Sequence, residues 1–232
     1  MKIANYLIKP FFSILVISSF SLVINAQEIS AVIEDIIVTA EKRTESLQDL
    51  SQAVTVLTSD DLDKKQISTF VDISAIAPGV NVAKNEGFKT VITIRGVGYE
   101  TNQNAIATPS VSYHLDGIYI ASPYSLQTEF MDLERIEVLR GPQGTLFGQN
   151  STGGAINVIT SAPSLEESSS YGDITIGDYS LIKTRASFNR PLSETLAVRA
   201  SFITHKRDGF TDNLSTGQDL DDADSISARV RF

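Results

Sequence analysis

Residues 135–160, Arg-Ile-Glu-Val-Leu-Arg-Gly-Pro-Gln-Gly-Thr-Leu-Phe-Gly-Gln-Asn-Ser-Thr-Gly-Gly-Ala-Ile-Asn-Val-Ile-Thr, constrain the fold more than any other part of this chain. Two runs, 136–139 and 155–160, alternate apolar and polar side chains as half-buried strands do. Between them stand Gly141, Gly144, Gly148, Gly153 and Gly154, with Pro142 among them. Glycine admits backbone angles closed to other residues and lets a neighbouring wall come close, and proline offers no ladder donor. On residue types alone this is a glycine-rich hairpin connection. A phosphate-cradling loop is excluded: Gly148 and Gly153 have its spacing, but Gly154 stands where the lysine that reaches the phosphates is required.

The start of the chain predicts export. Lys2 and Lys9 precede a largely apolar core over 11–24, and Asn25-Ala26 offers a small-residue cleavage site before Gln27. That core is shorter than the ~20 residues a membrane-spanning helix needs. Cleavage should follow Ala26, so mass spectrometry of the exported form is expected to find Gln27 at its amino terminus. Intact Met1 recovered from a purely cytoplasmic pool would refute the leader. Its loss removes two lysines and takes the formal charge from −9 to −11. With that acidic balance and no basic run interleaved with aromatics, nucleic acid is not an expected partner. The absence of cysteine excludes disulfides and thiolate metal sites. His114 and His205 are the only imidazoles, lie far apart and are expected to be structural, so no metal site and no cofactor is expected. No Gly-x-Ser-x-Gly elbow is present, and no enzyme is expected.

Residues 27–49 lack the apolar density for a core and read as an extended, mobile arm. Inside it, Asp35-Ile36-Ile37-Val38-Thr39-Ala40 is a β-branched run, suited either to adding a strand to another protein's sheet edge or to opening the next domain. Residues 50–162 suffice for one core. They predict a strand over 53–57 and a short helix capped by Ser59 with Asp60 and Asp61 in its first turn. A second helix follows, with Phe70, Ile73, Ile76 and Ala77 on one face until Pro78-Gly79. Strands are predicted over 80–83, 90–94 and 111–115, broken by Arg95-Gly96 and Asp116-Gly117, which makes an α+β domain. Arg95 and Arg140 each end an apolar strand before a glycine and are expected to be partly buried there. A buried guanidinium calls for a carboxylate.

After Pro163 the texture changes. Ile182, Thr184, Ala186 and Phe188 oppose Lys183, Arg185, Ser187 and Asn189. Val198, Ala200 and Phe202 oppose Arg199 and Ser201, and Ile226, Ala228, Val230 and Phe232 oppose Ser227, Arg229 and Arg231. With the run over 171–176, that makes four strands with one apolar and one charged side. Residues 189–194 read as a tight turn, and 208–223 as a long acidic loop. Membrane barrels show this alternation and this asymmetry of connections. A soluble sheet alternates too, which leaves a soluble periplasmic binding or signalling module as the rival.

The run from Arg140 through Thr160 closely resembles the end of the plug domain of TonB-dependent outer-membrane receptors. Thr93-Ile-Arg-Gly96 and Leu115-Asp-Gly-Ile-Tyr119 resemble other parts of that plug and come in the family's order. The resemblance implies an organisation in four parts: signal peptide 1–26, arm with TonB box 27–49, α+β plug 50–162, and the first antiparallel strands of a transmembrane β-barrel, itself incomplete, over 163–232. It identifies residues 35–40 as the TonB box and TonB as the periplasmic partner. It places Gly96, Asp116, Gly117 and residues 140–154 in the plug motifs, with Arg95 and Arg140 pairing with acidic residues of the barrel wall. The polar loops around Tyr99 and Tyr124 become candidates for ligand contact. The implied function is energised import of a scarce substrate across the outer membrane, a ferric siderophore or other iron complex being the expected cargo, with the arm and plug facing the periplasm and outer-membrane lipid around the strands.

Overall fold

The computed structural model describes residues 37–38, 45–46, 52–85, 89–98 and 108–232. The leader, Asp35, Ile36, Thr39, Ala40 and Tyr99 lie outside them. Two short strands, β1 (Ile37–Val38) and β2 (Glu45–Ser46), pair antiparallel, with Val38 opposite Glu45. β3 (Val54–Thr58) then runs directly into α1 (Ser59–Lys64). The expected cap, Ser59, is the first helical residue instead. Thr58 caps, because its hydroxyl accepts from Asp61 N at 3.2 Å while the Asp61 carboxylate accepts from Thr58 N at 3.2 Å. Such a reciprocal box satisfies two otherwise orphaned donors at once, and only the residue three before Asp61 can close it.

α2 spans only Phe70–Ile73, shorter than the helix expected to reach Ala77. From Ser74 to Ile76 the amides bond three residues back rather than four, the tighter winding with which helices end. Phe70, Ile73 and Ala77 nevertheless share the buried side that their spacing predicted. β4 (Val80–Asn85), β5 (Lys89–Ile94) and β6 (Val97–Gly98) form a three-stranded sheet. β7 (Val111–Leu115) and β8 (Ile118–Tyr119) make a hairpin. The two predicted breaks are its turn and the β5–β6 turn. Arg95 and Gly96 have φ of 53° and 76°, Asp116 and Gly117 of 49° and 79°. Two consecutive left-handed residues are what a two-residue hairpin loop needs to match strand twist.

A 3-10 turn at Pro123–Gln127 leads to β9 (Leu133–Arg140), the short helix α3 (Gly144–Phe147) and β10 (Gly154–Thr160). The central sheet runs β3-β9-β10-β7-β8, with β10 and β7 parallel and the other neighbours antiparallel. One face presents Leu57, Tyr113, Ile136, Val138, Ile156 and Val158 to Leu62, Phe70 and Ile73 of the helices. Each fully buried aliphatic side chain there contributes about 1.5–3 kcal/mol. The other face carries Leu139 and Ala155 under Phe147, and buries Glu137, Asn157 and His114.

Past residue 168 the chain forms a second sheet in the order β11 (Ser169–Gly177), β12 (Leu181–Ser193), β13 (Leu196–Arg207) and, beyond the small pair β14 (Thr211–Asp212) and β15 (Asp219–Leu220), β16 (Ala223–Arg231). All neighbours are antiparallel. The expected turn over 189–194 is strand for most of its length: Pro191 sits opposite Ala197 beside a register shift, the position where a sheet tolerates a residue with no N–H, and the reversal comes at Glu194-Thr195. Phe188, Ile226 and Val230 stand 59%, 73% and 57% exposed on the outer side. Among the described residues no helix is long and apolar enough to cross a membrane, which says nothing of crossing by strands.

Candidate functional site

The inner face of β12, β13 and β16 lies against the α+β body, and the seam between them is built from charge. It centres on the segment Glu129-Phe130-Met131-Asp132, just before β9. Phe130 turns into the core, its ring edge-on to Phe70 at 4.8 Å and its amide bonded to Ser68 O at 2.8 Å. With Phe130 held inward, the two acids meet the strands. Asp132, at φ 50°, accepts from Arg199 Nε at 2.7 Å and Nη2 at 2.5 Å, and from the Ser201 hydroxyl. Such a two-armed guanidinium–carboxylate contact fixes direction as well as distance. Arg229 of β16 adds bonds to the carbonyls of Met131 and Asp132. Glu129 has Lys183 Nζ at 2.5 Å and His205 Nδ1 beside its other oxygen.

Burial pushes the Asp132 carboxyl up, but the hydrogen bonds from Arg199, Ser201 and Ser161 and the Arg199 charge outweigh it and hold the group below its ordinary value. A depressed carboxylate contributes its stability above the unfolded pKa and loses it as pH falls through the lowered one. The contact is therefore complete at neutral pH and weakens only in acid.

Two further ion pairs cross the seam. Asp63 of α1 meets Arg185 at 3.0 Å, with side chains 51% and 31% exposed, and Asp116 lies 3.8 Å from Arg231. Asp116 is mostly engaged inside its own body, accepting from the amide and hydroxyl of Thr160, both at 2.8 Å. The seam acids Glu129, Asp132 and Asp63 were not among the residues singled out from sequence. The signal was there in the period-two bases Lys183, Arg185, Arg199, Arg229 and Arg231, which need anions on whatever they face.

Of the predicted residues, Arg140 is half-buried and bonds Pro78 O at 3.0 Å and the Thr55 hydroxyl. Arg95 is exposed rather than partly buried, because the hairpin turn swings it out of the sheet end. The two charges lie close enough to interact. Burial, and then the neighbouring Arg95 charge, push the Arg140 guanidinium below its ordinary value. Among the described residues neither arginine has a carboxylate partner across the seam. Gly96 and Gly117 take the second place of the two turns. Gly141 and Pro142 leave β9, Gly144 starts α3, Gly148 ends it, and Gly153-Gly154 enters β10. His114 is buried, its Nε2 3.2 Å from the Ser112 hydroxyl and its ring edge-on to Phe147. Tyr124 belongs to the 3-10 turn at Pro123–Gln127.

Residues 46–155 match the family described as the TonB-dependent Receptor Plug Domain. The chain is 31% identical to the pesticin receptor of Yersinia pestis over 204 residues, 84% of this chain and 29% of that protein. It is 26% identical to the vitamin B12 transporter BtuB of Vibrio vulnificus over 176 residues, 72% of this chain and 26% of that one. The crystal structure of the ferric yersiniabactin uptake receptor FyuA from Yersinia pestis superposes with a TM-score of 0.64 at 25% identity, over 77% of this chain and 28% of that structure. The chain thus spans less than a third of the length of each of these proteins.

Proposed function

Since the chain belongs to the TonB-dependent outer-membrane receptors, we propose that it is the amino-terminal part of an importer that takes up an iron complex, a ferric siderophore foremost, with energy delivered through TonB. The observation that carries this reading is the seam. A folded plug-type body offers carboxylates to one side of a sheet whose other side is apolar and open. Solvent on both sides would leave Phe188, Ile226 and Val230 without a partner, whereas lipid outside and a plug inside satisfy both faces. That also disfavours a soluble periplasmic module.

In this reading residues 1–26 are the leader, 27–49 the arm, 50–162 the plug and 163–232 the start of the wall. Residues 35–40 bind TonB by strand addition. Arg95 and Arg140 meet acids of wall strands beyond the four present here: two neighbouring guanidinium groups, one of them desolvated, call for an anion between them. Tyr99 and Tyr124 lie in loops that touch the cargo. An iron complex is favoured over a vitamin by the likeness in fold to FyuA, the ferric yersiniabactin uptake receptor. Deleting the gene and growing the strain under iron starvation tests this directly. Slower growth, restored by the gene and by ferrous salts, is expected. Unchanged iron-limited growth together with lost growth on a corrinoid would overturn the iron assignment.

Residues 1–232 expressed alone should not transport. The four-stranded sheet leaves β11 and β16 with open edges, and an unpaired backbone group in hydrocarbon costs several kcal/mol. Plugged barrels of this kind use about 22 strands. Outer membranes containing only this chain should show no heat-modifiable band and no cargo uptake, and a single-chain species with both would refute the strand arithmetic.

A further inference from the structure

The contacts across the seam are unequal. Glu129 and Asp132 lie three residues apart on one short segment, yet they receive Lys183 from β12, Arg199, Ser201 and His205 from β13, and, through backbone carbonyls, Arg229 from β16. The paired side chains are shielded: Glu129 and Lys183 are each 13% exposed, Asp132 10% and Arg199 18%. On the α1 side the picture reverses. Among the described residues the ion pair that crosses there is Asp63–Arg185, exposed, and a cavity of about 210 Å³ runs from Leu62, Asp63 and Arg185 as far as Asp132 and Arg199, so the seam is open up to the cluster and closes only at it. Removing one partner of an exposed ion pair changes little, whereas removing one partner of a pair withdrawn from water leaves the other charge buried and uncompensated, which costs far more.

Chain order adds a second asymmetry. Asp132 immediately precedes β9, which has sheet partners on both sides, whereas β3 and α1 come much earlier in the chain, nearer the arm, and β3 is an edge strand. Tension entering from the amino-terminal arm reaches β3 and α1 before it reaches the shielded cluster.

We propose that Glu129 and Asp132 are the plug's mooring: positioning residues that hold the plug on the first strands of its own wall, while the α1 side is the loose side. This rests on the receptor reading above. Phe130 locks the segment to the core, so a force on the two carboxylates is a force on the whole plug. The polarity is also distinctive, since here the plug supplies acids and the wall supplies bases, opposite to the arrangement proposed for Arg95 and Arg140.

The test uses variants placed at the chromosomal locus, so that the protein is made at whatever length the cell makes it, with vancomycin as the probe because an intact outer membrane excludes it. Asp132→Asn keeps a residue that tolerates φ 50°, so it removes charge without straining the backbone. Glu129→Gln with Asp132→Asn should lower the vancomycin concentration that stops growth roughly tenfold or more, the factor that ~1.4 kcal/mol brings. Asp63→Asn should change it less than about twofold, as an exposed pair predicts. In a second variant, Asp132→Cys with Ser201→Cys, a short bis-methanethiosulfonate, which joins the two thiols through disulfides and releases methanesulfinate, should restore exclusion, and reductant should abolish it again. A misfolded plug would not reseal on crosslinking. Heat-modifiable double variant that excludes vancomycin like the parent overturns the mooring, as does a crosslinked cysteine pair that leaks as much as the reduced one. If the parent protein itself gives no heat-modifiable outer-membrane band, the receptor reading fails instead.

Discussion

Replacing Gly154 with valine is expected to leave the receptor without a folded plug. Gly154 opens β10 between two strands, opposite Arg140 of β9 and Val111 of β7, with φ 150°. A Cβ built there would lie 2.4 Å from the Leu139 carbonyl oxygen and 2.8 Å from Ile94 Cδ1. Neither can yield: the first belongs to a central strand's backbone and the second to a fully buried side chain. The strained backbone costs on the order of 1–3 kcal/mol and overpacking about as much again. Together they take much of the ~5–15 kcal/mol that holds a domain folded. Alanine brings the Cβ clash without the branch and should fall between. Trypsin digestion of outer membranes provides the measurement, since Arg135 and Arg140 are shielded in the native sheet. The valine variant should be cut there within minutes while the parent resists, and equal resistance would show that the sheet can open to accept the side chain.

That clash links the two most legible parts of the sequence. The glycine-rich run was read as a place where something comes close, and at Gly154 the neighbour is β9 itself, the strand that precedes it. The turns were legible for a related reason: Arg95-Gly96 and Asp116-Gly117 pair a residue in the left-handed region with a glycine, and few backbone conformations other than a tight hairpin use that pair. α3 was not legible, because a four-residue helix begun by Gly144 and ended by Gly148 has no periodicity to display. Thr58 lost to Ser59 as the expected cap because both are good caps, and only the carboxylate at Asp61 decides between them.

The seam was half legible. Alternation in β12, β13 and β16 placed Lys183, Arg185, Arg199 and Arg229 on one side, a statement about neighbours two residues apart. Their partners sit far away in sequence: Asp132 lies 67 residues before Arg199, and Glu129 76 before His205. Nothing local in Glu-Phe-Met-Asp announces an anchor. Only the fold, by turning Phe130 inward, presents the flanking acids outward. Arg95 shows the converse, since its strand suggested burial and its turn removed it.

Val38→Pro in the complete receptor is expected to reduce cargo uptake to the level of a deletion strain while leaving cargo binding at the cell surface intact. Strand addition depends on backbone donors and extended angles, and proline removes the donor at 38 and fixes φ near −65°. Losing one ladder bond and stranding its acceptor costs on the order of 2 kcal/mol, roughly thirtyfold in pairing. The same substitution also disturbs the pairing of Val38 with Glu45 within the chain. The two effects separate at the partner strand, because Glu45→Pro breaks the internal pair and leaves residues 35–40 unaltered. If residues 35–40 serve TonB, Glu45→Pro imports normally and Val38→Pro does not. If instead the internal pair is what matters, both variants fail alike. Growth on the iron complex under starvation, with surface binding measured at 0 °C in the same cells, reads both quantities. Normal import by Val38→Pro would remove residues 35–40 from the transport mechanism and leave the coupling segment to be sought elsewhere in the arm.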